Sequence, residues 1–295
     1  MQTLIFGLTF GGIYALMALA IGMINSTTRI MNFAHANLVM LGAMFSHWLC
    51  AIVGLGYWPS FLIALVANTL VGILLYKICV ETLGNLANNS NWVVTQFGFS
   101  HILANGARML FGNGTYPYDY MFNGARIRIG GVNILWHEIL MILLAIVIGV
   151  AYQTMSSKTS FGRATRAVAW KSDTAQLMGI NSNMIKLFGF AMAGAIAALT
   201  GILLAPVTYA NYNMTASIGL KGFAAALIGG NGNTMGALIG GFALGLFECV
   251  LGLFVSSAIR DAISFAVMIL VIIFLPGGVI GAKIFTKGST TTEKV

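Results

Sequence analysis

Lys221 and Glu248 stand in the middle of apolar segments, in a chain of 295 residues of which 7% are charged. In hydrocarbon each costs at least about 2.5 kcal/mol, so such side chains face a bundle interior or a solute path. Both flank the glycine-rich stretch Gly229-Gly230-Asn231-Gly232-Asn233-Thr234-Met235-Gly236. Glu248 follows Gly241 by seven residues and Gly245 by three, which sets it on the glycine face of its helix. Gly236-x-x-x-Gly240 and Gly241-x-x-x-Gly245 have the spacing that lets membrane helices approach closely, so these four glycines are expected at a helix contact. Two readings of the charges stay open. Either Lys221 and Glu248 form a buried ion pair, which gives specificity more readily than stability. Or they meet the opposite charges of a solute along a transport route, with Asn231 beside them.

Three further segments carry polar groups. In Arg29-Ile-Met-Asn-Phe-Ala-His-Ala-Asn37, His35 shares a helical face with Asn32, Gly42 and Ser46. That face is polar or small and should look into the protein. A solute path through Asn32, His35 and Asn37 competes with a bland alternative, a helix start capped by Asn32 with His35 bonded to backbone. Downstream, Gly98, His101, Asn105 and Arg108 recur as one polar stripe. Lipid cannot satisfy such a stripe, so His101 and Asn105 either line a pathway or bond a neighbouring helix; Arg108, near the end, can snorkel. The basic segment 156–186 places Ala164, Ala167, Val168, Ala175 and Met178 on one side of short helices. A mere connector needs no such pattern. Docking of a partner is the favoured reading, and a helix lying on the membrane surface is the alternative.

The elements that must position these residues follow from composition. Hydrophobic residues make up 58% of the chain, against about 45–50% in soluble domains. Lipid is therefore the solvent, and the fold expected is an all-α, polytopic transmembrane bundle. About 20 apolar residues cross a bilayer. Spans are expected near 2–24, 33–54, 60–80, 92–112, 135–155, 187–207, 214–230, 235–256 and 260–281, nine in all, with eight to ten compatible with the pattern. Residues 1–282 read as a single transmembrane domain and 283–295 as a cytoplasmic tail. Residues 1–23 read as a retained first span rather than a signal peptide.

The net charge of +8 does not point to nucleic acid. Lys158, Arg163, Arg166, Lys171 and Lys186 share one loop, while Lys283, Lys287 and Lys294 lie in the tail. The positive-inside rule then puts both inside, the 113–134 loop outside and the amino terminus outside. Arg126-Ile-Arg-Ile129 before Gly130-Gly131 reads as a hairpin strand. Cys50, Cys79 and Cys249 show no metal or redox spacing. No phosphate loop, His-Glu-x-x-His or Gly-x-Ser-x-Gly is present, so an enzyme is not expected, and ATP hydrolysis, if used, belongs to another chain.

Several blocks resemble the LivH-type permease subunit of bacterial branched-chain amino acid ABC importers. Gly11-Gly-Ile-Tyr-Ala-Leu16, Met31-Asn-Phe-Ala-His35, Met40-Leu-Gly-Ala43 and Gly162-Arg-Ala164 with Arg166-Ala167 are among them. Met178-Gly-Ile-Asn181, Lys221 to Gly230, Gly236 to Gly241 and Pro276-Gly-Gly-Val-Ile-Gly281 continue the series. Asn37 replaces an acid of the family motif. The resemblance implies an inner-membrane permease for branched-chain or related amino acids, small amides or urea. It implies no cofactor on this chain, with ATP and Mg on the partners. Those partners are a second permease, identical or homologous, two cytoplasmic ATPases and a periplasmic solute-binding protein. It also implies that Gly162, Arg163, Arg166, Ala167, Gly179 and Ile180 dock the ATPase. A passive channel for a small polar solute is the reading from another class.

Overall fold

The computed structural model describes residues 2–83, 91–121, 124–129, 132–214, 216–230, 232–275 and 278. Helices α1 (Gln2–Thr28), α2 (His35–Ala51), α3 (Tyr57–Cys79) and α4 (Asn91–Phe111) come first. A hairpin of β1 (Arg126–Ile129) and β2 (Val132–Leu135) comes next, and then α5 (Trp136–Lys158), α6 (Ser160–Trp170) and α7 (Ser172–Leu177). The chain continues through α8 (Ser182–Thr208), α9 (Ala216–Gly229), α10 (Thr234–Leu251) and α11 (Ser257–Phe274). Each expected span coincides with one helix, and α6 and α7 occupy the basic segment between α5 and α8. Among the described residues, five stretches are long and apolar enough to cross a membrane: α1, Tyr57–Leu83 (which includes α3), α5, α8 and α10. Helix α9 has 14 residues, about 21 Å at 1.5 Å per residue, short of a hydrocarbon core of about 30 Å.

Local chemistry sets the boundaries. The side chains of Thr159, Asn181 and Asn233 accept bonds from Gly162, Met184 and Gly236 N–H, capping α6, α8 and α10. Tyr209 ends α8 at φ 59° and Arg29 follows α1 at φ 60°, both in the left-handed region that stops a helix. The hairpin pairs Arg126 with Leu135 and Ile129 with Val132. Its exit is tied by Leu135 N–H donating to Glu138 Oε2 at 3.0 Å. Gly130 and Gly131, the expected turn, lie outside the described residues, as do the tail 283–295 and most of the 276–281 block.

The chain groups into two compact units: Met1–Gly22, Arg126–Gln153 and Leu220–Val295 form one, Met23–Ala125 and Thr154–Gly219 the other. In the second unit α8 is the hub, packed against α2 and α3. A Cβ added at Gly194 would meet the Asn68 carbonyl at 2.7 Å, and one at Gly72 the Phe190 carbonyl at 2.6 Å. Buried Asn68 uses the close approach: its Nδ2 donates to Leu38 O and to Gly194 O, each at 3.0 Å, and so ties three helices together.

In the first unit α10 is the hub. A Cβ at Gly236 would land on the Gly229 backbone, and one at Gly240 would lie 2.5 Å from Ala225 O, both on α9. On its other side Gly241 meets the Ala15 backbone and Gly245 meets Gly11, both on α1. Nothing flexible lines these contacts, so a larger side chain must move backbone. Gly245→Leu is expected to abolish the folded chain, because overpacking costs about 1–3 kcal/mol even where side chains can yield. Gly106→Ala, where the added Cβ meets open space, is the matched control. Size-exclusion profiles in detergent check this: aggregate for the first and a wild-type peak for the second.

Candidate functional site

Three charged residues of the first unit meet in one cluster. Lys221 Nζ lies 3.0 Å from Glu248 Oε1 and 3.1 Å from Oε2, with 6% of each side chain exposed. Two further groups join them. Asp261 Oδ1 of α11 lies 2.8 Å from the same ammonium. The Tyr14 hydroxyl of α1 donates to Glu248 Oε2 at 2.8 Å, and Lys221 Nζ sits 5.9 Å from the Tyr14 ring centroid. The cluster therefore links α1, α9, α10 and α11 through one ammonium and two carboxylates. Glu248 reaches it because it follows Gly245 by one helical turn and points where the glycines bring α1 close. Sequence reading offered the Lys221–Glu248 pair as one of two readings and missed Asp261 and Tyr14. Asp261 stands beside Arg260 near the start of α11 and reads there as an ordinary span-end charge; Tyr14 has no charge to flag it.

Asn231 lies outside the described residues. The remaining polar positions belong to the second unit. Asn32 and His35 are fully buried. Asn32 Oδ1 accepts from Ala34 N–H at 3.0 Å and does not cap α2, whose N-cap is Ala34 without a side-chain bond. His35 Nδ1 and Nε2 and Asn32 Nδ2 have no hydrogen-bond partner among the described residues. The capped-start alternative therefore fails: His35 is buried without bonding backbone. Asn37 is held by Ser100, donating from Nδ2 to its carbonyl at 2.8 Å and its hydroxyl at 2.6 Å. Gln96 of α4 accepts the Phe33 N–H at 2.9 Å.

Helix α4 turns its polar stripe outward. Gln96, Phe99 and Ala107 are its buried residues, whereas Gly98, His101 and Asn105 are exposed. Asn105 donates to its own helix at His101 O, 2.9 Å away. The polar stripe thus lies on the surface of this chain rather than inside it. A stripe announces what cannot face lipid, but not whether the covering protein belongs to the same chain.

The basic segment resolves into a small platform. Arg166 Nη1 donates to Ser156 O at 2.6 Å, Arg29 Nε to Ala169 O at 3.3 Å, and Ser182 Oγ to Ser172 O at 3.0 Å. These bonds fix α6 and α7 against neighbouring helix ends. Gly162, expected at a docking surface, is buried, and a Cβ there would fall on the Ser156 backbone; its role is packing. Met178, expected on the apolar side of the docking segment, is 79% exposed, together with Trp170 at 86% and Leu177 at 88%. Arg163 and Gly179 are exposed, Ala167 and Ile180 half-buried. Gly179 has φ +80°, a conformation that turns the chain from α7 toward α8.

Because Lys221 touches two carboxylates and Glu248 touches one ammonium, the two substitutions differ in severity. Lys221→Met strands both acids and is expected to cost about 3–5 kcal/mol. Glu248→Gln leaves the ammonium with Asp261 and is milder, and Lys221→Met with Glu248→Gln recovers part of the loss. Thermal unfolding in detergent gives the ranking; a less stable Glu248→Gln than Lys221→Met would contradict the arrangement.

The chain matches the family described as branched-chain amino acid transport system / permease component over residues 3–272. It is 30% identical to the high-affinity branched-chain amino acid transport system permease protein LivH of Salmonella typhimurium, over 95% of each chain. It is 29% identical to LivH of Escherichia coli K12 and 28% identical to the corresponding permease protein BraD of Pseudomonas aeruginosa, again over 95% of each. With a helical chain of matching extent and several membrane-crossing helices, the protein is a multi-pass membrane protein and belongs to the family of branched-chain amino acid ABC transport permease components.

Proposed function

We propose that this permease moves branched-chain or closely related amino acids into the cell across the inner membrane. ATP is hydrolysed on two cytoplasmic partner chains, and solute is delivered by a periplasmic binding protein. The names of the relatives support the solute. The observation that carries the mechanism is the platform of α6 and α7. Trp170, Leu177 and Met178 stand out from a polar, basic segment that belongs to none of the apolar helices. Clustered exposed apolar side chains of this kind mark a protein contact. Beside them lies a groove of about 860 Å³ lined in part by Arg29, Glu81, Trp92, Lys171, Asp173 and Lys186. Bonds from Arg166 and Ser182 make the platform rigid, so a push on Leu177 reaches the ends of α5 and α8.

The exposed stripe of α4 supports a second permease chain. His101, Asn105 and bare Gly98 need protein or water over them within a bilayer. The solute route then runs along this face and past Asn32, His35 and Asn37. Unpartnered nitrogens of His35 are groups that a solute or water can satisfy when the helices rearrange. Lys221, Glu248, Asp261 and Tyr14 serve as the structural pin of the other unit, since they satisfy one another.

A passive channel would not need the platform. Trp170→Glu with Leu177→Glu should leave the chain folded, because both side chains are exposed, and should reduce ATP-driven leucine uptake at least about tenfold. Copurification of the ATPase from co-expressing cells should fall in parallel, because a buried apolar anchor is worth about 2 kcal/mol or more at an interface. Normal copurification with normal uptake would remove the docking assignment.

A further inference from the structure

The end of α2, the start of α3 and the segment after α4 enclose a cavity of about 340 Å³ that the transport reading does not use. This volume is at the small end of ligand pockets, which span about 300–1,000 Å³. Its lining includes His47, Tyr57, Tyr118, Asp119 and Tyr120. The rings form one wall: Tyr57 and Tyr118 have centroids 5.7 Å apart, and His47 and Tyr118 6.0 Å. Tyr118 is 7% exposed and fixed by its hydroxyl, 2.7 Å from buried Ser46 Oγ. Burial pushes the Tyr118 phenol up to about 12, so that ring stays neutral at physiological pH. The Tyr57 hydroxyl oxygen is buried and has no hydrogen-bond partner among the described residues. Asp119 contributes the carboxylate, and no lysine or arginine lines the cavity among the described residues.

Electron-rich ring faces with one carboxylate are complementary to a cation. A free phenol oxygen beside them accepts an N–H, which a primary ammonium offers and a quaternary one does not. A zwitterionic amino acid would bring its own carboxylate to Asp119 with no cation to neutralise it. We infer that this cavity binds the ammonium group of a compact organic amine and discriminates against amino acids, which makes it a site separate from the proposed transport route.

Isothermal titration of the full chain in nanodiscs tests this with three probes of one carbon skeleton: 3-methylbutylamine, 3-methylbutan-1-ol and leucine. The amine should bind, and the alcohol and leucine about tenfold more weakly or not at all, in keeping with a desolvated cation–π contact. Asp119→Asn, at an exposed position, and Tyr57→Leu should each weaken the amine about tenfold. Tyr57→Phe, which keeps the ring, should weaken it less than Tyr57→Leu. Equal binding of amine and alcohol, unchanged amine affinity in Asp119→Asn, or no amine binding by the wild type would each overturn the proposal. The comparison of amine with alcohol and the effects of Asp119→Asn and Tyr57→Leu do not depend on whether the chain transports leucine.

Discussion

Lipid gives two apolar helices no hydrophobic reason to prefer each other over acyl chains, so close backbone approach has to do that work. In each unit of this permease one helix is stripped of side-chain bulk to allow it. Helix α10 meets α1 and α9 through Gly236, Gly240, Gly241 and Gly245, and α8 meets α3 through Gly194. The polar interior of each unit depends on these contacts. Glu248 can reach Tyr14 and Lys221 because the glycine one turn before it removes the space between helices. Asn68 can donate to two helices at once for the same reason. Polar groups that would be too costly in hydrocarbon become fasteners once their partners come within about 3 Å.

The same constraint separates structural polar groups from those with unfinished business. The Lys221 cluster is closed: opposite charges and a phenol partner one another. The Asn32–His35 turn is open, with buried nitrogens that meet no acceptor among the described residues, and so is the face of α4 that carries His101 and Asn105. A transporter that changes shape needs both kinds. Under the proposed function, closed clusters keep the helices they join together, and open ones are where solute, water or a second chain can change the balance between conformations.

Much of this was legible in the sequence, for a physical reason. Glycine spacing and a lone acid on the glycine face are local signals, and a helix converts them directly into neighbours. The helix positions were legible because apolar run length is set by bilayer thickness. Asp261 and Tyr14 were not legible, since their meeting with Glu248 depends on how α1 and α11 pack. Gly162 looked like part of a docking motif, yet its bare Cα serves the crossing with Ser156. Met178 read as part of the apolar side of the docking segment. The fold shows that Met178 and Trp170 are exposed among the described residues. The stripe on α4 carried the most ambiguous signal, because avoidance of lipid says nothing about which chain supplies the cover.

Under the proposed mechanism energy enters through α6 and α7 from partner chains, and solute does not simply flow down its gradient. Radiolabelled leucine uptake into proteoliposomes holding the complete transporter, with ATP or a non-hydrolysable analogue inside the ATPase compartment, tests that directly. Accumulation against a gradient with ATP, and flux near background with the analogue, is the predicted result. Equilibrating flux of equal rate under both conditions would contradict it.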